Sequence, residues 1–243
     1  MKQTKYSRLA LACVVVCCLV LAGALVACKP NDNAQHDPTG TARFTPDDFI
    51  QLKQFTAVSS QFPDTTLTYI RKDNTITYQT TMPDTLRGGT RPIYYVLSPQ
   101  DNREYTDGAW RTIAQADVDD YVQSIDNACG LGYHNVQKAY FKPAGDNVWE
   151  IESEHFFREA FRQSYELYFG KDYTDAEFDA SFDTAKGELY GNLDDYTVTL
   201  DCSQPDTMRL SIAMRATETT IAHTVTYTYT AINTATIDLP PQE

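Results

Sequence analysis

The chain has 243 residues and carries 33 acidic against 20 basic side chains, for a formal net charge of −13. A surface this acidic argues against a nucleic-acid-binding protein and against charge-driven binding to anionic lipid headgroups. The length is typical of a single domain with short flanking segments.

An apolar run near the N-terminus predicts export. Uncharged residues extend from 9 to 27, and they follow the basic residues Lys2, Lys5 and Arg8. A basic start, an apolar segment and small residues before a cleavage site are typical of a secretory signal peptide. Removing the three basic residues with that peptide leaves a chain that is still more acidic.

The run ends in Leu25-Val26-Ala27-Cys28, which resembles the bacterial lipobox. In that motif a diacylglycerol is attached to the cysteine thiol, and the peptide is cut just before it. The resemblance implies a signal peptide at 1–27 and a lipidated Cys28, hence a protein anchored in the cell membrane and facing outside the cytoplasm. Two or three acyl chains give stable anchoring, at about 0.8 kcal/mol per buried CH₂ group. The alternative is an uncleaved run that spans the bilayer as a helix.

A polar segment separates this N-terminus from one predicted domain. Residues 28–44 are expected to form the lipidated cysteine and a flexible tether, because large apolar side chains are almost absent there. A single domain is expected over 45–240. It begins with Thr45-Pro46-Asp47-Asp48, a helix start with an N-cap, a proline in the first turn and acidic residues beside it. The apolar stripe that follows predicts a short helix ending near Val58.

Hairpin signals dominate the next stretch. Apolar and hydroxyl residues alternate at 66–69 and 75–78 on either side of a short polar turn, which predicts two paired strands. The apolar run at 93–97 predicts a central strand. Asp107-Gly108 is a dipeptide preferred in tight turns, so another hairpin is expected around it.

The middle of the chain mixes helices with strands. Helical spacing of apolar residues predicts a helix over 115–128, and two strands are expected at 136–141 and 148–152. A pair of helices is then predicted at 153–189. The first helix has an aromatic face, and the second begins at a capping box formed by Thr174 and Glu177.

The last third returns to strands, which sets the fold class. Alternation predicts strands at 196–200, 209–215 and 224–230 and a short edge strand at 237–239. Consecutive hairpins favour a curved antiparallel meander sheet or open half-barrel. The predicted class is therefore α+β, mainly β, with helices covering the concave face or the mouth.

This order of elements resembles the lipoprotein-carrier superfamily, the LolA/LppX-like half-barrels. The shared features are a lipoprotein cysteine, a leading helix, Trp110 after the Asp-Gly turn, a helical insertion at 153–189 and a final Ile-Asp-Leu-Pro at 237–240. The resemblance covers 45–240 and implies a half-barrel that binds or carries a lipid. The acidic helical insertion departs from that pattern in detail.

Candidate catalytic and metal sites are scarce in the sequence. His155 and Glu159 form a helical i, i+4 pair but lack the His-Glu-x-x-His order of a zinc protease. The acid pairs Asp119-Asp120 and Asp194-Asp195 lack the alternating ligands of a calcium loop. No nucleophile elbow, phosphate loop or dinucleotide fingerprint is present. We therefore expect a non-catalytic protein with no cofactor and no metal.

Two cysteines remain once Cys28 is acylated. An exported protein can keep a disulfide, so a bridge between Cys129 and Cys202 is one reading. The alternative is two separately buried thiols, and sequence alone does not establish that the two residues are close.

The aromatic face of the first insertion helix is the candidate ligand site. Aromatic stripes usually form core; the alternative is a pocket for an acyl chain between this face and the sheet. The residues expected to line that pocket are Phe156, Phe157, Phe161, Tyr165 and Tyr168.

Three functions follow from these observations. The first is a monomeric, membrane-anchored lipoprotein that binds or carries a lipid or another hydrophobic ligand. The second is a surface lipoprotein that binds an envelope or host protein without a small-molecule ligand. The third is an enzyme. A cavity lined by Phe and Tyr would favour the first, and a filled core between sheet and helices would favour the second. A pocket with converging polar groups would favour the third.

Overall fold

The computed structural model describes residues 44–83, 89–133, 136–170, 172–217 and 221–241. The predicted signal peptide, Cys28 and residues 29–43 of the predicted tether lie outside the described residues. Phe44, the last residue of the predicted tether, is buried in the core of the domain. Within the described ranges, no helix combines the length and the apolar character needed to cross a membrane.

Eleven strands and four α-helices make up the described fold. The helices are α1 (Pro46–Ile50), α2 (Val118–Ala128), α3 (Ser153–Phe169) and α4 (Asp175–Leu189). The strands are β1 (Gln54–Ser59), β2 (Phe62–Lys72), β3 (Thr75–Pro83), β4 (Thr90–Leu97), β5 (Asn102–Thr106), β6 (Ala109–Thr112), β7 (Phe141–Gly145), β8 (Val148–Ile151), β9 (Tyr196–Asp201), β10 (Met208–Met214) and β11 (His223–Thr230).

All eleven strands belong to one open antiparallel sheet in the order β6-β5-β4-β3-β2-β1-β11-β10-β9-β8-β7. The sheet consists of two meanders, β1 to β6 and β7 to β11, and β6 and β7 lie at its two edges. The meanders join where β1 pairs with β11, for example Ala57 opposite Tyr229. The predicted class, α+β with an open antiparallel sheet and covering helices, is confirmed.

One face of the sheet, here called the inner face, carries the core. Tyr69 lies opposite both Phe55 and Tyr78. On the other side of the β1–β11 pair, Tyr229 lies opposite Met208. The side chains that the sequence alternation places together all lie on this face. They are Leu67, Tyr69, Ile76, Tyr78, Leu210, Ile212 and Met214.

Helices α2 and α3 pack on the inner face. Tyr121 of α2 contacts Tyr95, with ring centroids 5.6 Å apart, and Tyr95 lies opposite Tyr78 on the inner face. Phe157 of α3 contacts Tyr196 of β9 at 4.7 Å. The helices predicted to cover one face of the sheet therefore do so.

The first helix is shorter than the sequence predicts. Thr45 is the N-cap as expected, and it also forms a capping box with Asp48. However, α1 ends at Ile50, and residues 54–59 are strand β1 instead of a helix reaching Val58. Strand β1 pairs on both sides, with β2 and β11. Those long-range hydrogen bonds outweigh a local apolar spacing that also fits a helix.

Two other predicted strands are corrected. The strand expected at 136–141 lies at Phe141–Gly145, because a 3-10 turn occupies the residues just before it. The strand pairs with β8 across a turn in which Asn147 has a φ of 59°. The edge strand expected at 237–239 is irregular chain. That segment crosses the outer face from β1 to β6: Gln54 Nε2 donates to the Ala235 carbonyl at 2.7 Å, and Trp110 Nε1 donates to the Pro240 carbonyl at 3.4 Å.

Candidate functional site

The aromatic stripe of α3 is buried. The exposed fractions of Phe156, Phe157, Phe161 and Tyr165 are 0%, 5%, 4% and 9%. The side chain of Tyr168 lies outside the described residues. The stripe therefore packs against other parts of the protein, and its two ends have different partners.

The N-terminal end of the stripe faces the sheet. Phe157 contacts Tyr196 of β9 at 4.7 Å and Tyr190 at 4.8 Å, between ring centroids. Phe156 packs edge-on against Phe157 at 5.4 Å. This end of α3 joins the helical cover to the inner face.

The C-terminal end of the stripe forms the core of the helical pair itself. Phe161 contacts Phe178 and Phe182 of α4 at 5.8 and 5.7 Å. Tyr165 meets Phe178 edge-on at 5.5 Å. The four described residues of the five expected to line one pocket are thus divided between the sheet contact and the contact between α3 and α4.

Charged side chains of α3 close the far side of this helical core. The guanidinium carbons of Arg158 and Arg162 lie 4.9 and 4.1 Å from the centre of the Phe178 ring. Arg162 also donates to the Tyr173 hydroxyl at 3.0 Å, and that hydroxyl donates to Glu166 at 2.7 Å. Cation–π contacts and these hydrogen bonds fix α4 on α3.

A half-buried apolar patch remains on the inner face beside Phe157. Its members, here called the inner-face patch, are Tyr196, Ile212, Met214 and Tyr227. Tyr196 lies opposite Met214, and Tyr227 lies opposite the fully buried Leu210. The patch therefore extends across β9, β10 and β11 as one continuous surface.

Polar groups are buried next to this patch, under the C-terminal end of α2. The Tyr69 hydroxyl donates to Asp126, and Cys129 lies close to three tyrosines of the inner face, Tyr69, Tyr78 and Tyr227. We call these five residues the buried polar cluster, in which Tyr69, Tyr78 and Cys129 are buried and Asp126 and Tyr227 are half-buried. Asp126 Oδ1 is buried and has no hydrogen-bond partner among the described residues.

The environment of the cluster disfavours negative charge. Burial raises the pKa of Asp126 to about 6, although the nearby charge of Arg71 opposes that shift. Burial raises the pKa of Tyr227 to about 12, and it raises the pKa values of Tyr69, Tyr78 and the Cys129 thiol as well. Desolvation penalises the ionised form of each group.

Gly130 brings the end of α2 into direct contact with β11. Its φ is +69°, and a Cβ atom here would lie 2.7 Å from the Tyr229 hydroxyl and 2.8 Å from Tyr227 Cγ. The Tyr229 hydroxyl donates to the Gly130 carbonyl at 3.4 Å. The sequence indicates that Gly130 ends a helix, but it does not reveal that Gly130 contacts β11, because β11 is far away in the chain. Asp126 is likewise not identified from the sequence, because no local pattern distinguishes it from an acidic residue on the surface.

The structure contains no bridge between Cys129 and Cys202, because both are free, buried thiols. They belong to different parts of the core. Cys129 lies in the buried polar cluster, whereas Cys202 follows β9, where its N–H donates to the Asn147 carbonyl at 2.9 Å. The alternative of two separately buried thiols matches the structure.

The other candidate residues make ordinary local contacts. His155 stacks on Tyr140 with ring centroids 3.5 Å apart, and Asp195 forms an ion pair with Arg215 at 2.6 Å. In the part of the chain that the structure describes, no three His, Cys, Asp or Glu side chains are grouped so that they could hold a metal ion.

The chain was compared with protein families and with curated proteins. No family model matches it. No curated protein is similar enough to count as a relative.

Proposed function

We propose that the protein is an exported, lipid-anchored, non-catalytic envelope protein that binds or carries a lipid or another hydrophobic ligand. The observation that carries this proposal is the inner-face patch, an apolar surface of the open sheet that the helices leave half-buried. Covering it with an apolar ligand would gain about 25 cal/mol per Å² removed from water. The resemblance to the lipoprotein-carrier superfamily supports the same function.

The packing of the stripe decides where on the inner face the ligand would lie. Phe161 and Tyr165 contact α4, so we assign them to holding the helical cover together. Phe157 borders the patch through Tyr196. We therefore place the ligand against Phe157 and the inner-face patch, with α3 above it.

Lipid extraction and probe binding test this proposal. The chain from Lys29 onward retains every described residue. It should release lipid on extraction with organic solvent, and it should bind a pyrene-labelled long-chain alcohol. Ile212→Thr keeps a β-branched residue in β10 but adds a hydroxyl to the patch, so we expect probe binding several-fold weaker.

Phe161→Leu is the matched control, because Phe161 belongs to the contact between α3 and α4. It should retain probe binding as long as the variant folds. A folded wild-type chain that neither binds the probe nor releases lipid would rule out the carrier function.

A second function, binding of an envelope or host protein without a small ligand, is favoured by one observation. Phe161, Tyr165, Phe178 and Phe182 fill the space between α3 and α4 with their own rings. A filled core needs no guest molecule. If the lipid tests fail, chemical cross-linking on intact cells should capture a protein partner through the exposed acidic side of α4.

A further inference from the structure

We infer that the outer face of the sheet binds an uncharged, extended glycan chain. The site is a line of side chains that runs across the strands from β1 to the edge strand β6, here called the outer-face row. Its members are Thr56, Thr68, Gln79, Tyr94, Tyr105 and Trp110. The row lies on the opposite side of the sheet from the inner-face patch, so the inference goes beyond the proposed function and does not depend on it.

The pairing register places these six side chains in one line. Each member lies directly opposite the next on the neighbouring strand, from Thr56 opposite Thr68 to Tyr105 opposite Trp110. Thr68 faces outward because its neighbour Tyr69 lies on the inner face, and successive side chains of a strand point to opposite faces. Five strand spacings of roughly 4.8 Å give the row a length of about 24 Å. All six side chains are half-buried, so each keeps part of its surface exposed.

Three aromatic rings form the β4–β6 end of the row. Ring centroids lie 5.8 Å apart for Tyr94 and Tyr105 and 5.4 Å apart for Tyr105 and Trp110. The Trp110 indole is held in place twice, by the guanidinium carbon of Arg103 at 4.4 Å from its centre and by donation from Nε1 to the Pro240 carbonyl at 3.4 Å. Aromatic faces carry partial negative charge, so the C–H groups of a sugar ring can pack on them. Rings that are already fixed lose little freedom when a ligand binds.

The β1–β3 end of the row offers hydrogen bonds without charge. The hydroxyls of Thr56 and Thr68 and the amide of Gln79 can each donate and accept, as sugar hydroxyls do. Threonine is common in strands because it is a good β-former. The hydroxyls therefore point to a glycan because they continue the line of aromatic rings.

The absence of charge separates a neutral glycan from a charged ligand. No member of the row is ionised at neutral pH, in a chain with 33 acidic and 20 basic side chains. The adjacent outer-face pair, Val58 opposite Thr66, is uncharged as well. Arg103, which lies beside the row, forms an ion pair with Asp101 at 3.1 Å. The net charge of −13 repels anions at longer range.

The C-terminal segment borders one long side of the row. At the β1 end, Gln54 Nε2 donates to the Ala235 carbonyl at 2.7 Å. At the β6 end, the segment accepts the hydrogen bond from Trp110. On the other long side of the row, Thr66 is exposed. A chain-shaped ligand would therefore lie along the row beside this segment.

Titration with three hexasaccharides tests the inference on the chain from Lys29 onward. Cellohexaose and chitohexaose are uncharged and extended, whereas a heparin hexasaccharide is strongly anionic. By isothermal titration calorimetry, we expect at least one neutral probe to bind with a Kd below about 1 mM, and the anionic probe to bind at least about tenfold more weakly. If neither neutral probe binds, or if the anionic probe binds equally well, the inference is overturned and the carrier function stays intact.

Three variants assign the binding to the row. Tyr105→Thr removes the central ring but keeps a good β-former, so we expect binding at least about fivefold weaker. Thr68→Val is nearly isosteric and removes only a hydroxyl, so we expect binding at least about twofold weaker even if the ring variant does not fold. Phe62→Thr is the control, because Phe62 is an aromatic residue that is 54% exposed outside the row, and it should bind like the wild type.

Two results with these variants would contradict the inference. If Thr68→Val and a folded Tyr105→Thr both bind like the wild type, the row is not the site. If size-exclusion chromatography shows that the wild type is a dimer and that Tyr105→Thr separates it, the row is a contact between two copies of the chain instead of a glycan site.

Discussion

Gly130 shows how one residue can hold a helix on a sheet. Any side chain there must adopt a φ of +69° and must displace Tyr227 or Tyr229 of the inner face. We expect Gly130→Ala to lower the free energy of unfolding by more than about 2 kcal/mol, measured by urea titration.

The matched control for Gly130→Ala is Gly187→Ala in α4, where an added Cβ atom would meet nothing within 4 Å. Alanine has the higher helix propensity, so this variant should gain up to about 1 kcal/mol. A similar loss in both variants would contradict the close approach of α2 to β11.

Asp126 should make stability depend on pH. Its pKa is about 6 in the folded chain and 3.8 when unperturbed, so the folded state binds more protons than the unfolded state between these values. The free energy of unfolding therefore falls as the pH rises from about 4 to about 6. Asparagine carries no charge at any pH. Asp126→Asn should raise Tm above that of the wild type at neutral pH.

Thermal unfolding across this pH range checks the sign of the Asp126 effect. The difference in Tm between Asp126→Asn and the wild type should shrink as the pH falls from about 6 to about 4, and it should level off below the unperturbed pKa of 3.8, where the wild-type carboxyl group becomes protonated in both states. A variant that is less stable than the wild type at neutral pH would show that the charged carboxylate is stabilising.

At the scale of elements, periodicity predicts which face a residue occupies but not what it meets. Alternation in β2, β3 and β10 correctly places Tyr69, Tyr78 and Leu210 on one face. Helical spacing correctly predicts α3, yet it does not reveal that Phe161 packs on α4 while Phe157 packs on β9. Which element packs against a given face depends on the tertiary structure, and the periodicity of one segment carries no information about it.

Strand β1 is the clearest case of this limit. Phe49, Leu52 and Phe55 are spaced as on a helix, while Phe55 and Ala57 also alternate as on a strand. A short apolar stretch of this kind fits both periods. Pairing with β2 and β11 decides the outcome, and β11 begins more than 160 residues later, as the hydrogen bond from the Thr226 N–H to Ser60 Oγ illustrates at a separation of 166.

The inner face can be tested at β10. Leu210 is fully buried, so Leu210→Ala should cost about 2–5 kcal/mol in unfolding free energy. Ile212 is half-buried in the same strand, and Ile212→Ala should cost less than Leu210→Ala. Denaturant unfolding at matched protein concentration measures both changes.

Thr197→Ala is the control for β10, since Thr197 lies exposed on the outer side of the neighbouring strand β9. Its effect should stay within about 0.5 kcal/mol. If Thr197→Ala lowered the unfolding free energy as much as Leu210→Ala, the assignment of inner and outer faces in β9 and β10 would be wrong.

At the scale of the whole molecule, hairpins predict the two meanders because each turn joins neighbouring strands. They do not predict that β1 and β11 close the gap between the meanders, or that the chain after Thr230 crosses back over the outer face to Trp110. Both features join distant parts of the sequence. The pairing places the first and last strands side by side in the middle of the sheet, so the two meanders form one continuous inner face.

The proposed lipid anchor also concerns the whole molecule, because it would determine where the inner face meets its ligand. A fully extended chain of the length of residues 29–43 would span about 50 Å at roughly 3.4 Å per residue, enough to hold the domain clear of a membrane if Cys28 is lipidated as proposed. Cys28→Ala should abolish labelling by an alkyne fatty acid and leave an unprocessed precursor. Cys18→Ala removes a cysteine from the apolar run but keeps Leu25-Val26-Ala27-Cys28, so it should be labelled and processed like the wild type. Labelling that persists in Cys28→Ala would disprove the lipid anchor, and the uncleaved helix would then have to hold the protein at the membrane.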